Sequence, residues 1–157
     1  MSRTMTDPLD DWRFLVGKWK GSCTDQFGTK GTIEGECETT VELEGKFIVT
    51  TGTNVSKGKL VHRAMSVMFY DQLTGKMRRK TFFSYGFVNN EIEVSRNQDE
   101  IIFEVEMEPT PPPYQGTRTR SFVRKVSGNR ISTGLMMAPK QSGEFKKYGE
   151  MFMDRIE

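Results

Sequence analysis

The stretch Thr32-Ile-Glu-Gly-Glu-Cys-Glu-Thr-Thr-Val-Glu-Leu-Glu44 alternates with a period of two. Glu34, Glu36, Glu38, Glu42 and Glu44 fall on one face, with Thr40 completing it. Ile33, Gly35, Cys37, Thr39, Val41 and Leu43 fall on the other. Successive side chains of a strand point to opposite sides, so this pattern predicts a half-buried strand with its acids in water. Asp99 to Glu108 repeats it: Ile101, Phe103, Val105 and Met107 alternate with Glu104, Glu106 and Glu108, and Ile102 interrupts the polar set. Two such strands imply a sheet with one wet face, which antiparallel sheets tolerate and parallel sheets do not.

Similar runs occupy most of the remaining chain. The pattern predicts strands at Lys18–Asp25, Thr32–Glu44, Lys46–Val55, Leu60–Asp71, Lys76–Tyr85, Glu91–Arg96, Glu100–Met107, Gly116–Val126, Arg130–Met137 and Phe145–Ile156. The turns between them are short, as at Glu44-Gly45, Ser56–Lys59 and Ser127–Asn129, and short turns mean sequential antiparallel pairing. About ten strands in succession, without a crossover helix, fit a closed up-and-down antiparallel barrel, which also removes exposed edges. A β-sandwich is the runner-up. Before the first strand a short helix is expected: Asp7 can cap it, Pro8 suits its first position, and Asp10 and Asp11 suit the positive end of its dipole. Leu9, Trp12 and Leu15 or Val16 form its apolar face, and it stops near Gly17. Pro109-Thr-Pro-Pro-Pro113 must be a loop.

Composition sets the outer limits. With 157 residues the chain is expected to form a single domain over 1–157. The apolar set is 35%, and the 15 glycines bring it to about 45%, the low edge of the globular range. Aromatics at 11% and a net charge of +2 argue against disorder and against a strongly basic nucleic-acid binder. The longest apolar runs are far below a membrane span. Met1 to Asp11 has acids where a signal peptide carries bases, so a cytoplasmic location is expected. Cys23 and Cys37 read as two small buried thiols. A turn centred near residue 30 would set Trp19 opposite Val41 and Cys23 opposite Cys37, making the thiols neighbours.

Four segments carry a family resemblance. Phe14-Leu-Val-Gly-Lys-Trp-Lys-Gly21 resembles the opening of the calycin superfamily, where Gly-x-Trp follows a short helix. Glu42-Leu-Glu-Gly-Lys-Phe-Ile-Val49, Phe69-Tyr-Asp-Gln-Leu-Thr-Gly-Lys76 and Glu150-Met-Phe-Met-Asp-Arg155 are similar, in order, to three later segments of those barrels. The group most resembled is a prokaryotic set of lipocalin-like barrels related to nitrobindins and fatty-acid-binding proteins. The resemblance implies that Trp19 closes one barrel end and that Arg155 stacks on it, both as structural residues. Two departures limit what carries over. The connection from Gln26 to Gly31 is too short for the helix pair of fatty-acid-binding proteins, and Met153-Asp154-Arg155 replaces their Arg-x-Tyr. Nitrobindins hold haem through a histidine near the C-terminus, whereas the last strand here has none. No cofactor and no metal are therefore expected.

The lone histidine, His62, lies on a strand with two candidate inner faces. Val61, Arg63, Met65, Val67 and Phe69 are more apolar than Leu60, His62, Ala64, Ser66, Met68 and Tyr70, so the first set is favoured inward and His62 outward or at the rim. In the alternative, His62 and Tyr70 become polar groups of the pocket. Arg118, Arg120 and Arg124 share a face. They form either a solvated basic stripe or, with Arg118 and Arg120 inside, a holder for an anionic head group. Arg79 shares a face with Met77, Thr81 and Phe83. In the last strand, the resemblance to the closing segment of those barrels implies that Phe145, Lys147, Gly149, Met151, Met153 and Arg155 point inward. With one histidine and no phosphate-binding glycine loop, no catalytic set can be assembled.

These readings favour a binding role over an enzymatic one. The candidate ligand-binding residues are Trp19, Val41, Phe47, Met65 and Phe69, together with Phe83, Phe103, Arg120, Met151 and Met153. The expected partner is a small hydrophobic or amphipathic molecule. Nucleic acid and membrane insertion are not expected, and a homodimer is left open. The rivals are an isomerase- or cyclase-type enzyme in the same cavity, and an interaction module with a filled barrel.

Overall fold

A computed structural model describes residues 7–108, 110, 112, 115–139 and 142–157, the Glu108 side chain excepted. Among these the chain is all-β apart from one short helix. The strands are β1 (Gly17–Thr24), β2 (Thr32–Glu42), β3 (Phe47–Ser56), β4 (Lys59–Asp71), β5 (Lys76–Phe83), β6 (Val88–Arg96), β7 (Glu100–Glu108), β8 (Thr117–Ser127), β9 (Arg130–Pro139) and β10 (Lys146–Arg155). Each pairs with its neighbours in sequence, and β1 pairs with β10 to close the barrel. The expected closed antiparallel barrel of ten strands is therefore observed, and the sandwich is not. The proline cluster falls largely outside the described residues, as do Met1 to Thr6.

The first element is a 3-10 helix, Pro8–Leu15. The Leu9 amide donates to Asp7 Oδ1 at 3.0 Å, which supplies the expected cap. Leu9, Trp12 and Leu15 are buried and join Trp19, Ile48, Met68, Met77, Ile101, Phe103 and Ile131 in one core. This core plugs one end of the barrel. Trp19 donates its indole N–H to the Leu15 carbonyl at 2.8 Å, and the Arg155 guanidinium lies 4.3 Å from the Trp19 ring centroid. Arg155 also donates to the carbonyls of Val16 and Phe14. These contacts tie the last strand to the helix and to the first strand.

The β1–β2 register differs from the expected one. Trp19 faces Cys37, and Cys23 faces Ile33. The turn is centred two residues earlier than expected, because Asp25, Phe27 and Gly28 take positive φ. Asp25 and Gly31 then close the turn, with the Asp25 amide on the Gly31 carbonyl and the Gly31 amide on Asp25 Oδ1. The thiols are consequently four positions apart along the sheet, about 13 Å at normal strand rise, too far for a disulfide. Both are free.

The larger correction concerns β3 and β4. Ile48 pairs with Met68, and both are buried in the core. Alternation then turns Thr50, Gly52 and Asn54 inward on β3, and His62, Ala64 and Ser66 inward on β4. Phe47, Met65 and Phe69, all expected inside, are on the outer wall, as is Val49. Phe47 and Phe69 pack on each other there with ring centroids 5.7 Å apart, and Met65 is 42% exposed beside Phe82. The apolar face of this hairpin points out because the polar face lines a cavity. Apolarity alone therefore selects the wrong side.

Candidate functional site

The barrel end away from the plug encloses a cavity of about 600 Å³. Its wall divides by strand. From β3 to β6 the lining is mostly polar, with Thr50, Asn54, His62, Ser66, Arg79, Thr81, Asn89 and Glu91 beside the apolar Val61, Ala64 and Phe83. From β9, β10 and β2 come Leu135, Met151, Met153 and Ile33, with Met107 from β7. Aromatic side chains ring the mouth. Phe83 and Tyr85 stack at 5.2 Å, Tyr85 meets Phe87 edge-on at 5.3 Å, and Phe27 meets Tyr148 edge-on at 6.4 Å. Tyr148 reaches the cavity through the β-bulge between Lys147 and Gly149. That bulge sends Lys147 outside, against expectation, to pair with Glu150 at 2.6 Å.

At the polar wall sits a buried ion pair. Arg79 Nε and Nη2 donate to Glu91 Oε2 and Oε1 at 2.9 and 2.8 Å. Thr81 Oγ1 and Ser121 Oγ donate to the same carboxylate at 2.8 and 2.6 Å, so Glu91 receives four hydrogen bonds. Its side chain is 2% exposed. Arg79 Nη2 also donates to Ser121 Oγ at 3.1 Å, and its guanidinium lies 4.9 Å from the Phe103 ring centroid. A bidentate pair whose carboxylate is fully bonded is an arrangement in which buried charge is tolerated. Arg79 Nη1 has no hydrogen-bond partner among the described residues. Neither has the amide of Asn89, which is 8% exposed and lies two positions from Glu91 on the same face of β6. Both residues line the cavity.

His62 stands near the mouth. Asn54 Nδ2 donates to His62 Nε2 at 3.2 Å, which leaves the ring proton on Nδ1. The ring meets Phe83 and Tyr85 edge-on at 5.4 and 5.9 Å. Burial lowers the His62 pKa, so the imidazole is uncharged at neutral pH. Burial raises the Tyr85 phenol and pushes the Cys37 thiol up to about 11, so neither ionises near neutrality. Among the described residues no group of three or more His, Cys, Asp or Glu is placed to hold a metal ion. No helix there is long and apolar enough to cross a membrane.

The sequence-derived candidates divide three ways. Phe83, Met151 and Met153 line the cavity. Trp19, Phe103 and Val41 belong to the packed core beneath it. Phe47, Met65, Phe69 and Arg120 are outside the barrel. Arg120 alternates with the buried Thr119 and Ser121 and donates to Glu104 at 2.8 Å on the outer wall. Its guanidinium stacks at 4.1 Å on the Phe145 ring, which also faces outward. Burial works against ionisation of Glu104, but hydrogen bonds from Arg120 and Arg118 outweigh it and lower its pKa. The plainer reading of that arginine stripe is the observed one. The missed residues are Glu91, Asn89 and Asn54. Their one signal was an inverted strand: in β6, Val88, Ile92 and Val94 alternate with Asn89, Glu91 and Glu93.

A ten-stranded antiparallel barrel with a plugged end and an open, lined end is the class defined by this geometry. No family model matches the chain, and no curated protein matches it. Among solved structures it is similar to the crystal structure of Rv2717c from M. tuberculosis, with a TM-score of 0.69 and 16% sequence identity. The likeness covers 95% of this chain and 97% of that one. At that identity it is a likeness of fold.

Proposed function

We propose that the barrel binds one small amphipathic molecule in its interior and performs no reaction on it. The observation that carries this reading is the mixed lining of the 600 Å³ cavity, with polar side chains concentrated on β3 to β6 and the apolar Leu135, Met151, Met153 and Ile33 on β9, β10 and β2. A volume of this size suits a small organic ligand, and Arg79 Nη1 and the Asn89 amide, without a protein partner among the described residues, are available to hydrogen-bond an occupant. The open interior argues against a filled barrel. The acceptor nitrogen of His62 is occupied by Asn54, which argues against a free general base there. The Trp19–Arg155 stack and the preceding helix support kinship with lipocalin-like calycins, and the continuous closed barrel supports one domain over 1–157.

The test is titration with 1-aminoanthracene, an uncharged fluorophore. The purified protein should enhance its fluorescence and saturate at one equivalent. Leu135→Trp, which fills the apolar side of the cavity, should abolish the signal while keeping the fold by circular dichroism. Equal binding by the folded variant, or no binding by the wild type, overturns the reading. Native mass spectrometry of freshly purified protein then classifies any retained molecule by mass.

A further inference from the structure

We propose that the cavity selects an uncharged acyl head group, of the carboxamide kind, over a carboxylate. The inference rests on the binding role proposed above and adds the chemistry of the ligand. An arginine in an apolar cavity ordinarily suggests a carboxylate partner. Here that partner is already in place. Glu91 balances the charge of Arg79, and its four hydrogen bonds use up the acceptor sites of a carboxylate. A carboxylate can grip the end of a guanidinium only through Nη1 and Nη2 together. The Nη2 donors go to Glu91 and Ser121, so that fork is closed. Only Nη1 remains, and it offers donors to a single oxygen.

The local charge points the same way. Arg79 and Glu91 sum to zero, and His62 is uncharged. Glu36, the other charged residue along the cavity, is on the outer face of β2 and pairs with Lys20 at 3.2 Å. A ligand carboxylate would place a second negative charge beside Glu91 without a second cation, and like charges at short range oppose ionisation. A carbonyl oxygen has no such penalty and accepts from Nη1. Asn89, two positions from Glu91 on the same face of β6, presents both an acceptor and donors, with no partner among the described residues. An N–H on the head group would satisfy its oxygen, so a carboxamide answers both unpartnered groups at once. The alkyl portion then extends toward Leu135, Met151 and Met153.

Three probes of equal chain length separate the possibilities: octanamide, octanoate and octylamine, each displacing 1-aminoanthracene at pH 7.5. Octanamide should bind at least tenfold more tightly than either ion. Asn89→Leu should weaken octanamide about tenfold more than it weakens 1-aminoanthracene. Arg79→Met alone would strand Glu91 and threaten the fold, so the informative variant is Arg79→Met with Glu91→Met. Folded by circular dichroism, it should lose the preference for the amide over octanoate. Octanoate binding as tightly as octanamide at pH 7.5, with the fluorophore still excluded by Leu135→Trp, overturns the head-group inference and leaves the binding role standing. A fluorophore that ignores Leu135→Trp overturns both.

Discussion

His62 shows how one side chain reports its surroundings. The folded imidazole is held uncharged by burial, with a pKa below its ordinary value. The unfolded chain takes up that proton at about pH 6.5. Below that pH the unfolded state binds more protons than the folded one, so the contribution is present above pH 6.5 and is lost as the pH falls toward the folded pKa. Denaturant unfolding of wild type and His62→Gln at pH 7.5 and pH 5.5 checks this. The wild type should lose more stability than the variant over that interval, and equal losses would show that the ring is not held neutral. Arg79 and Glu91 make a contrasting case: their charges are kept inside by mutual pairing and hydroxyl donors. The sequence showed the face of β5 that carries Arg79, but not its partner, because the bond joins residues whose proximity is set by pairing of β5 with β6.

At the level of elements, the barrel depends on close approaches that only glycine permits. Gly134 of β9 pairs with Phe122 of β8 and Glu150 of β10. A Cβ at Gly134 would come within 2.2 Å of the Gly149 carbonyl oxygen and 2.7 Å of the Phe122 ring. A backbone atom cannot swing aside as a side chain can, so Gly134→Ala should destabilise the protein, by about 1–3 kcal/mol on the scale of overpacked sites. Denaturant unfolding should show a lower midpoint with an unchanged slope. A midpoint equal to wild type would mean that β9 and β10 separate at little cost. The existence of β2 and β7 was readable because each puts acids outside and apolar groups inside. The facing of β3 and β4 was not, because their polar sides line a cavity and their apolar sides cover the outer wall. The bulge that turns Tyr148 inward left no mark in the alternation.

Across the whole molecule the two ends of the barrel have separate tasks. One end is a plug of helix and core side chains, and Arg155 fastens it through Trp19, Val16 and Phe14. The other end holds the cavity. Truncating the fastener should therefore affect stability and leave binding nearly intact. A cation–π contact is worth about 0.5–2 kcal/mol, and at about 2–4 °C per kcal/mol for a chain of this size Arg155→Ala should lower the Tm by several degrees. Its affinity for 1-aminoanthracene should stay within a few-fold of wild type. A large loss of affinity in a folded Arg155→Ala protein would join the two ends into one functional unit.

The order of strands, the short turns and the capped helix before them are local properties, written in alternation and turn residues, and the sequence by itself determined them. It also marked Trp19 and Arg155 as a structural pair through resemblance. Tertiary structure alone decided which face of β3, β4 and β6 points inward, and with it the composition of the cavity. Alternation has two equivalent phases, and apolarity selects between them only where the inside of a barrel is dry and filled. Here β3 to β6 surround open space and an internal ion pair. The phase is set instead by the buried Ile48–Met68 contact and by the Glu91 carboxylate that Arg79 requires.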